Sequence, residues 1–120
     1  MSKLVALVDD DNDIRDVAKA ILESAGYRVD TFGNAWEFLK SCDETGLRHD
    51  VVVLDVMMFG MSGIEAAGSL RARLTARGTR LVFMSVEPDA LQAAERAFGD
   101  KATYLRKPVE PDVLLGAAWR

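Results

Sequence analysis

The chain has 120 residues, 49% of them hydrophobic, enough for one core and too few for a second sizeable domain. Acidic residues outnumber basic ones 19 to 15, a formal net charge of −4, which argues against a nucleic-acid-binding surface with its clustered basic face. A lone Cys42 excludes an internal disulfide, and no apolar run suits a signal peptide or a membrane span, so a reducing, cytoplasmic setting is expected.

Short apolar runs alternate with segments of helical period. Leu4 to Val8 reads as a strand ending in Asp9, Asp10 and Asp11. From Asn12 to Ala25, the residues Ile14, Val17, Ala18, Ile21 and Leu22 keep helical spacing, and Gly26 stands where a helix stops. Arg28 to Phe32 is a second strand. Asn34 caps a short helix to about Ser41, with Glu37 completing a variant of the capping box, and a polar loop from Cys42 to Asp50 follows. Val51 to Leu54 is apolar throughout, as in a strand buried on both faces.

Ser62 and Glu65 form a capping box that opens a helix with Ile64, Ala67, Leu70 and Leu74 inward, while Arg71, Arg73 and Arg77 suit its wet side. Gly78 ends the connection to a fourth strand, Leu81 to Met84. Pro88 belongs in the first turn of a helix reaching Phe98. Thr103 to Arg106 makes the last strand, and Pro111 opens a final helix through Val113, Leu114 and Ala117. Strands alternating with helices predict an α/β fold, a parallel sheet with helices on both sides. The last helix reaches Arg120 without a cap, as expected of a domain cut from a longer protein.

In such sheets, ligands sit beyond the carboxyl ends of the strands. The first strand ends in Asp9 and Asp10, the third in Asp55, the fourth in Ser85, and the fifth leads to Lys107. Three carboxylates brought together repel, and a bound cation or raised pKa values must relieve them. Oxygen ligands without His or Cys select a hard ion such as Mg²⁺. A lysine and a hydroxyl beside that ion match the needs of phosphoryl transfer, and a carboxylate can itself be the nucleophile.

At this point a family resemblance becomes specific. Leu7-Val8-Asp9-Asp10-Asp11-Asn12-Asp13-Ile14-Arg15 resembles the opening of response-regulator receiver domains, as do Leu54-Asp55-Val56-Met57-Met58 and Gly60-Met61-Ser62-Gly63. Ser85 follows Asp55 by 30 residues, and Lys107-Pro108 follows Ser85 by 22, both typical intervals. The resemblance covers Leu4 to about Trp119 and implies a flavodoxin-like, doubly wound (βα)5 domain with strand order 2-1-3-4-5 across residues 1–120.

It implies Asp55 as phosphoacceptor, and Asp10, Asp55 and the backbone carbonyl of Met57 as Mg²⁺ ligands, with Asp9 acting through water. Lys107 would pair with the phosphoryl group, Ser85 would follow its oxygen, and Tyr104 would be the aromatic switch. The Lys107-Pro108 bond would be cis. The donor would be a histidine kinase or histidine phosphotransfer protein, and the reader a downstream output domain or protein. The fourth helix, fifth strand and fifth helix would form the partner face, a possible homodimer surface. Such a domain is a substrate with at most intrinsic autophosphatase activity, with no direct contact to nucleic acid or membrane.

Phe59 stands where proline is usual, and Val86 where alanine or glycine is commoner. The bulk of Val86 and the apolar Met57 predict slow loss of phosphate. The alternative is a receiver-like interaction module that no longer uses phosphate. A phosphate-ester hydrolase would need a second acid just after Asp55, where Val56, Met57 and Met58 stand instead. A flavin protein would want a glycine- and hydroxyl-rich loop where Asp9-Asp10-Asp11 would repel phosphate. His49 is expected to be a solvated loop residue, Cys42 an inert thiol, and Trp36 and Trp119 packing residues. Met57, Met58 and Met61 are expected in loop and core packing.

Overall fold

The computed structural model describes residues 3–119, so the expected helix end at Arg120 lies outside them. Five strands, β1 (Leu4–Val8), β2 (Arg28–Phe32), β3 (Val51–Asp55), β4 (Arg80–Ser85) and β5 (Thr103–Arg106), form one parallel sheet in the order β2-β1-β3-β4-β5. The helices are α1 (Asn12–Ser24), α2 (Ala35–Thr45), α3 (Gly63–Ser69), α4 (Arg71–Arg77), α5 (Pro88–Phe98) and α6 (Pro111–Trp119). The architecture is the flavodoxin-like one.

Period-two alternation along the strands builds two cores, one on each sheet face. Ala6, Val8, Val52, Leu54 and Phe83 point to one face, where α2 to α5 contribute Phe38, Ala67, Leu74 and Phe98, and Leu70 joins them from between α3 and α4. Val5, Leu7, Val51, Val53, Val82 and Met84 point to the other, covered by Leu22 of α1 and Leu114 and Ala118 of α6. Both faces of β1 and β3 are buried, which explains their continuous apolar sequence.

The structure departs from the sequence reading in several places. The second helix does not stop near Ser41. It continues to Thr45, because Cys42 lies on the buried face below Ala35 and Phe38. The third helix is two. It breaks at Leu70, where the Ser69 hydroxyl bonds back to the carbonyls of Glu65 and Ala66, a competition that bends helices.

His49 is not solvated. It is 1% exposed, seated edge-on to Phe32 and Phe38, with Nε2 2.9 Å from Asp30 Oδ2. Trp119 is 74% exposed rather than packed, and Trp36 is half exposed, with one edge of its ring against Gly60. Cys42 is buried, and that burial pushes its thiol pKa up, in keeping with an inert thiol. Met58 is buried and Met61 packs on the core, whereas Met57 is exposed.

Candidate functional site

The three acids after β1 divide their roles. Asp11 caps α1, accepting from the amides of Asp13 at 2.9 Å and Ile14 at 3.1 Å. Asp9 is fully buried; one oxygen accepts from the Asp11 amide at 3.0 Å and the other meets Lys107 Nζ at 2.7 Å. Asp10 is exposed, and its Oδ2 accepts from the Phe59 amide at 3.1 Å. One carboxylate oxygen each from Asp9, Asp10 and Asp55 lie within 4.8 Å of one another.

Asp55 ends β3 and is nearly buried. Its Oδ1 accepts from the Met57 amide at 3.2 Å, and its Oδ2 lies 3.2 Å from Lys107 Nζ. Burial and the Asp9 charge push its pKa up to about 6, against the opposing pull of Lys107 and the Met57 amide. Burial disfavours the Lys107 charge, but the hydrogen bond to Asp9 and the charges of Asp55 and Asp9 outweigh it and raise the pKa. The ammonium therefore persists at neutral pH.

One lysine offsets one of three negative charges. The remaining excess, offered entirely by oxygens, fits a hard divalent cation such as Mg²⁺, which takes one or two carboxylates and keeps waters. The acidic triad is thus of the Mg²⁺-binding receiver type.

Ser85 ends β4, one position beyond Met84, the register partner of Asp55. Its buried hydroxyl oxygen accepts from the Glu87 amide at 3.1 Å, leaving the hydroxyl proton free to donate. Its carbonyl accepts from the Lys107 amide at 2.9 Å, tying the two strand ends together. Lys107-Pro108 is cis. Tyr104 stacks on Phe83, with ring centroids 5.9 Å apart, and its hydroxyl donates to the Gly99 carbonyl at 2.7 Å. So Asp9, Asp10, Asp55 and Lys107 are brought into one site, Ser85 borders it, and Tyr104 stands aside on β5.

Two residues noted in the sequence, Phe59 and Gly63, contribute to the site in ways that residue type does not show. The Phe59 amide is one; a backbone donor leaves no trace in residue type. Gly63 is the other: a Cβ there would overlap the Asp55 carbonyl oxygen, so only glycine lets α3 start against the end of β3. Its signal was the position of Gly63 just inside the capping box begun by Ser62.

Comparison with known proteins agrees with this geometry. The response regulator receiver domain family matches residues 5–118. The chain is 28% identical over 115 residues to the DNA-binding response regulator MtrA of Mycolicibacterium paratuberculosis, covering 96% of this chain and 49% of that protein. It is 34% identical to the transcriptional regulatory protein TdiR of Thauera aromatica, covering 94% and 48%. The chain thus spans about half the length of the curated relatives it matches. Among solved structures, chemotaxis protein CheY4 of Vibrio cholerae aligns with a TM-score of 0.83 at 30% identity, covering 100% of this chain and 98% of that one. The BeF3-activated DrrB receiver domain aligns at 0.82 and 30%, covering 100% and 97%. The chain belongs to the response regulator receiver domain family, a class of phosphoacceptor signalling modules rather than classical enzymes.

Proposed function

We propose that this chain is a phosphorylation-dependent switch of a two-component system, with Asp55 as its phosphoacceptor. A carboxylate oxygen of Asp55 attacks the phosphorus of a phosphohistidine on a histidine kinase or phosphotransfer protein. The P–O bond forms, the P–N bond breaks, and the imidazole nitrogen keeps the electron pair and takes up a proton. At neutral pH the Asp55 carboxyl, with its pKa near 6, is ionised and able to attack.

Asp10, Asp55 and the Met57 carbonyl would hold Mg²⁺, with Asp9 reaching it through water. The ion supplies charge neutralisation on the transferring group. Lys107 contributes a fixed positive charge, and the Ser85 hydroxyl donates to a phosphoryl oxygen. These contacts exist only in the modified state, so they favour the conformation in which the loop after β4 closes and Tyr104 turns inward. The reader is an output domain or separate protein at the α5–β5–α6 face, where a homodimer would also form. Residues 1–120 act as the receiver unit, in the cytoplasm. The observation that carries the reading is Lys107 bridging Asp9 and Asp55 inside a triad of carboxylates.

The test is the protein incubated with Mg²⁺ and acetyl phosphate, followed by intact mass for wild type and Asp55→Asn. A Mg²⁺-dependent gain of one phosphoryl group, lost in the variant, is expected. No gain, with kinases as donors as well, would point to the phosphate-independent interaction module.

A further inference from the structure

Three large apolar side chains stand exposed beside the acidic site. The Phe59 ring is 90% exposed, and Met57 and Trp36 are each about half exposed. Met57 and Phe59 lie between β3 and α3, and Trp36 lies in the first turn of α2. The indole edge rests on that loop, because Gly60 adopts φ +84° and a Cβ there would overlap the Trp36 ring. The loop is also tied at both ends, with the Val56 amide on the Met84 carbonyl and the Gly63 amide on the Val56 carbonyl, each at 2.9 Å. A braced backbone thus presents a ring that the fold itself hardly covers. An exposed apolar cluster of this kind marks a contact surface.

Its position says what must contact it. The Phe59 amide lies 3.1 Å from Asp10 Oδ2, and carboxylate oxygens of Asp10 and Asp55 lie within 4.8 Å of one another. Asp55 is nearly buried, so a protein that delivers a phosphoryl group must lay its surface across the mouth of the site. A specific interface covers about 800 Å² per partner, a footprint roughly 25–30 Å across. Centred on Asp55, such a footprint takes in the Phe59 ring.

Charge narrows the occupant. The same sheet edge exposes Asp11 and Asp13 at the start of α1, Glu37 next to Trp36 in sequence, and Glu87 and Asp89 at the start of α5. Lys107 is engaged by Asp9 and Asp55, and Arg15 by the Asp9 carbonyl. A second copy of this chain seated here would set acid against acid. A partner with an apolar socket inside a basic rim fits.

We infer that Phe59, backed by Trp36, is the aromatic anchor by which this domain selects its phosphodonor. The ring enters an apolar socket beside the phosphohistidine, and basic side chains around that socket meet the acidic edge. The inference rests on the reading of Asp55 as acceptor from a histidine. Aromatic side chains enclosed at the centre of an interface carry much of its binding energy. Losing the ring therefore weakens the encounter and spares the transfer step, which belongs to Asp55, Lys107 and the cation.

The experiment offers the organism's histidine kinases and phosphotransfer proteins, each purified and phosphorylated, to the wild-type chain. The fastest donor is then kept for Phe59→Ala and Phe59→Trp. Every protein is also labelled with acetyl phosphate, which needs no docking surface, and transfer is read as the ratio of the two rates. Phe59→Ala should raise the receiver concentration for half-maximal transfer about tenfold, as for loss of an interface anchor, with the maximal rate retained. Phe59→Trp keeps an aromatic ring and should stay much closer to wild type. Added salt should raise the same concentration, since it screens the charged rim.

A ratio unchanged in Phe59→Ala, or lowered only through the maximal rate, would overturn the anchor and leave Asp55 standing as acceptor. So would a full set of protein donors that fail on a chain labelled by acetyl phosphate. Transfer indifferent to salt would overturn the basic rim. A wild type labelled by neither kind of donor would overturn the proposed function and this inference together.

Discussion

Lys107 sits closer to Asp9 than to Asp55, 2.7 Å against 3.2 Å, although Asp55 is the proposed acceptor. The lysine is first the counterion of a fully buried carboxylate and only second a partner of the reactive one. Lys107→Met should therefore cost stability as well as function. Removing one partner of a buried pair typically costs about 3–5 kcal/mol, because the other charge is left uncompensated. Urea unfolding of Lys107→Met against Lys107→Met/Asp9→Asn checks this: the second substitution should recover much of the loss. No recovery would mean that Asp9 is not the lysine's main structural partner.

Asp55 carries the opposite cost. Its folded pKa, about 6, lies above the ordinary 3.8, so the folded state binds its proton more tightly than the unfolded chain does. Stability from this group is present below the unfolded pKa and lost as pH rises through about 6. Asp55→Asn should thus be more stable than wild type at pH 7.5 in EDTA, by about 1–3 kcal/mol at roughly 1.36 kcal/mol per unit. The gain should shrink as pH falls toward 4, and Mg²⁺ should narrow it at neutral pH. A destabilised Asp55→Asn under EDTA would contradict the electrostatic account.

Much of this site was legible in the sequence because parallel-sheet topology is simple. Once Leu4–Val8, Val51–Leu54, Leu81–Met84 and Thr103–Arg106 are strands, Asp9, Asp10, Asp55, Ser85 and Lys107 must reach one edge. What escaped depends on tertiary contact. Cys42 reads as the start of a polar loop until the sheet below it is known to bury that helix face. The break at Leu70 follows from a hydroxyl bonding back to the main chain, which residue spacing does not encode. His49 reads as solvated because a single imidazole among polar neighbours carries no pattern; its burial comes from Phe32 and Phe38.

That histidine makes its own pH prediction. Nε2 pairs with Asp30, while Nδ1 is buried with no hydrogen-bond partner among the described residues, so a second proton would bring an unsatisfied N–H into an aromatic niche. Burial lowers the pKa despite Asp30, whose hydrogen bond and charge oppose it. A depressed folded pKa means full stability above the unfolded value of about 6.5 and progressive loss as pH falls below it. Wild type should lose stability relative to His49→Leu between pH 6.5 and 5. Asp55 is common to both and cancels in the difference. Parallel pH profiles would mean that His49 takes up its proton as readily in the folded chain as in the unfolded one, and would overturn the burial account.

Two glycines, at the start and near the end of α3, should behave in opposite ways. Gly63→Ala drives a Cβ into the Asp55 carbonyl and should cost about 1–3 kcal/mol as overpacking, while lowering phosphoacceptance. Gly68 lies in the same helix with open space around its missing Cβ, and Gly68→Ala should stabilise by about 0.5–1 kcal/mol. Thermal midpoints of the two variants, read with acetyl phosphate labelling of each, separate backbone crowding at Asp55 from helix propensity. Equal midpoints would sink the crowding argument.

The groups around the acceptor also bear on how long a phosphoryl group would persist. Met57 and Val86 flank the strand ends at Asp55 and Ser85, both roughly half exposed, and neither side chain offers a hydrogen bond to an attacking water. The Glu87 amide donates to Ser85 Oγ at 3.1 Å, which holds that turn in place, while its carboxylate remains an acceptor. Neither Met57 nor Val86 would therefore orient water at phosphorylated Asp55, and loss of the phosphoryl group should be slow. Met57→Asn supplies a polar side chain in that position, and Val86→Ala opens the approach; each should shorten the lifetime severalfold, and the pair more than either alone. Decay of the mass-shifted species after removal of acetyl phosphate measures this. A wild-type half-life of seconds, or one unchanged by both substitutions, would show that water access is governed elsewhere, with the exposed acid Asp10 the next side chain to replace.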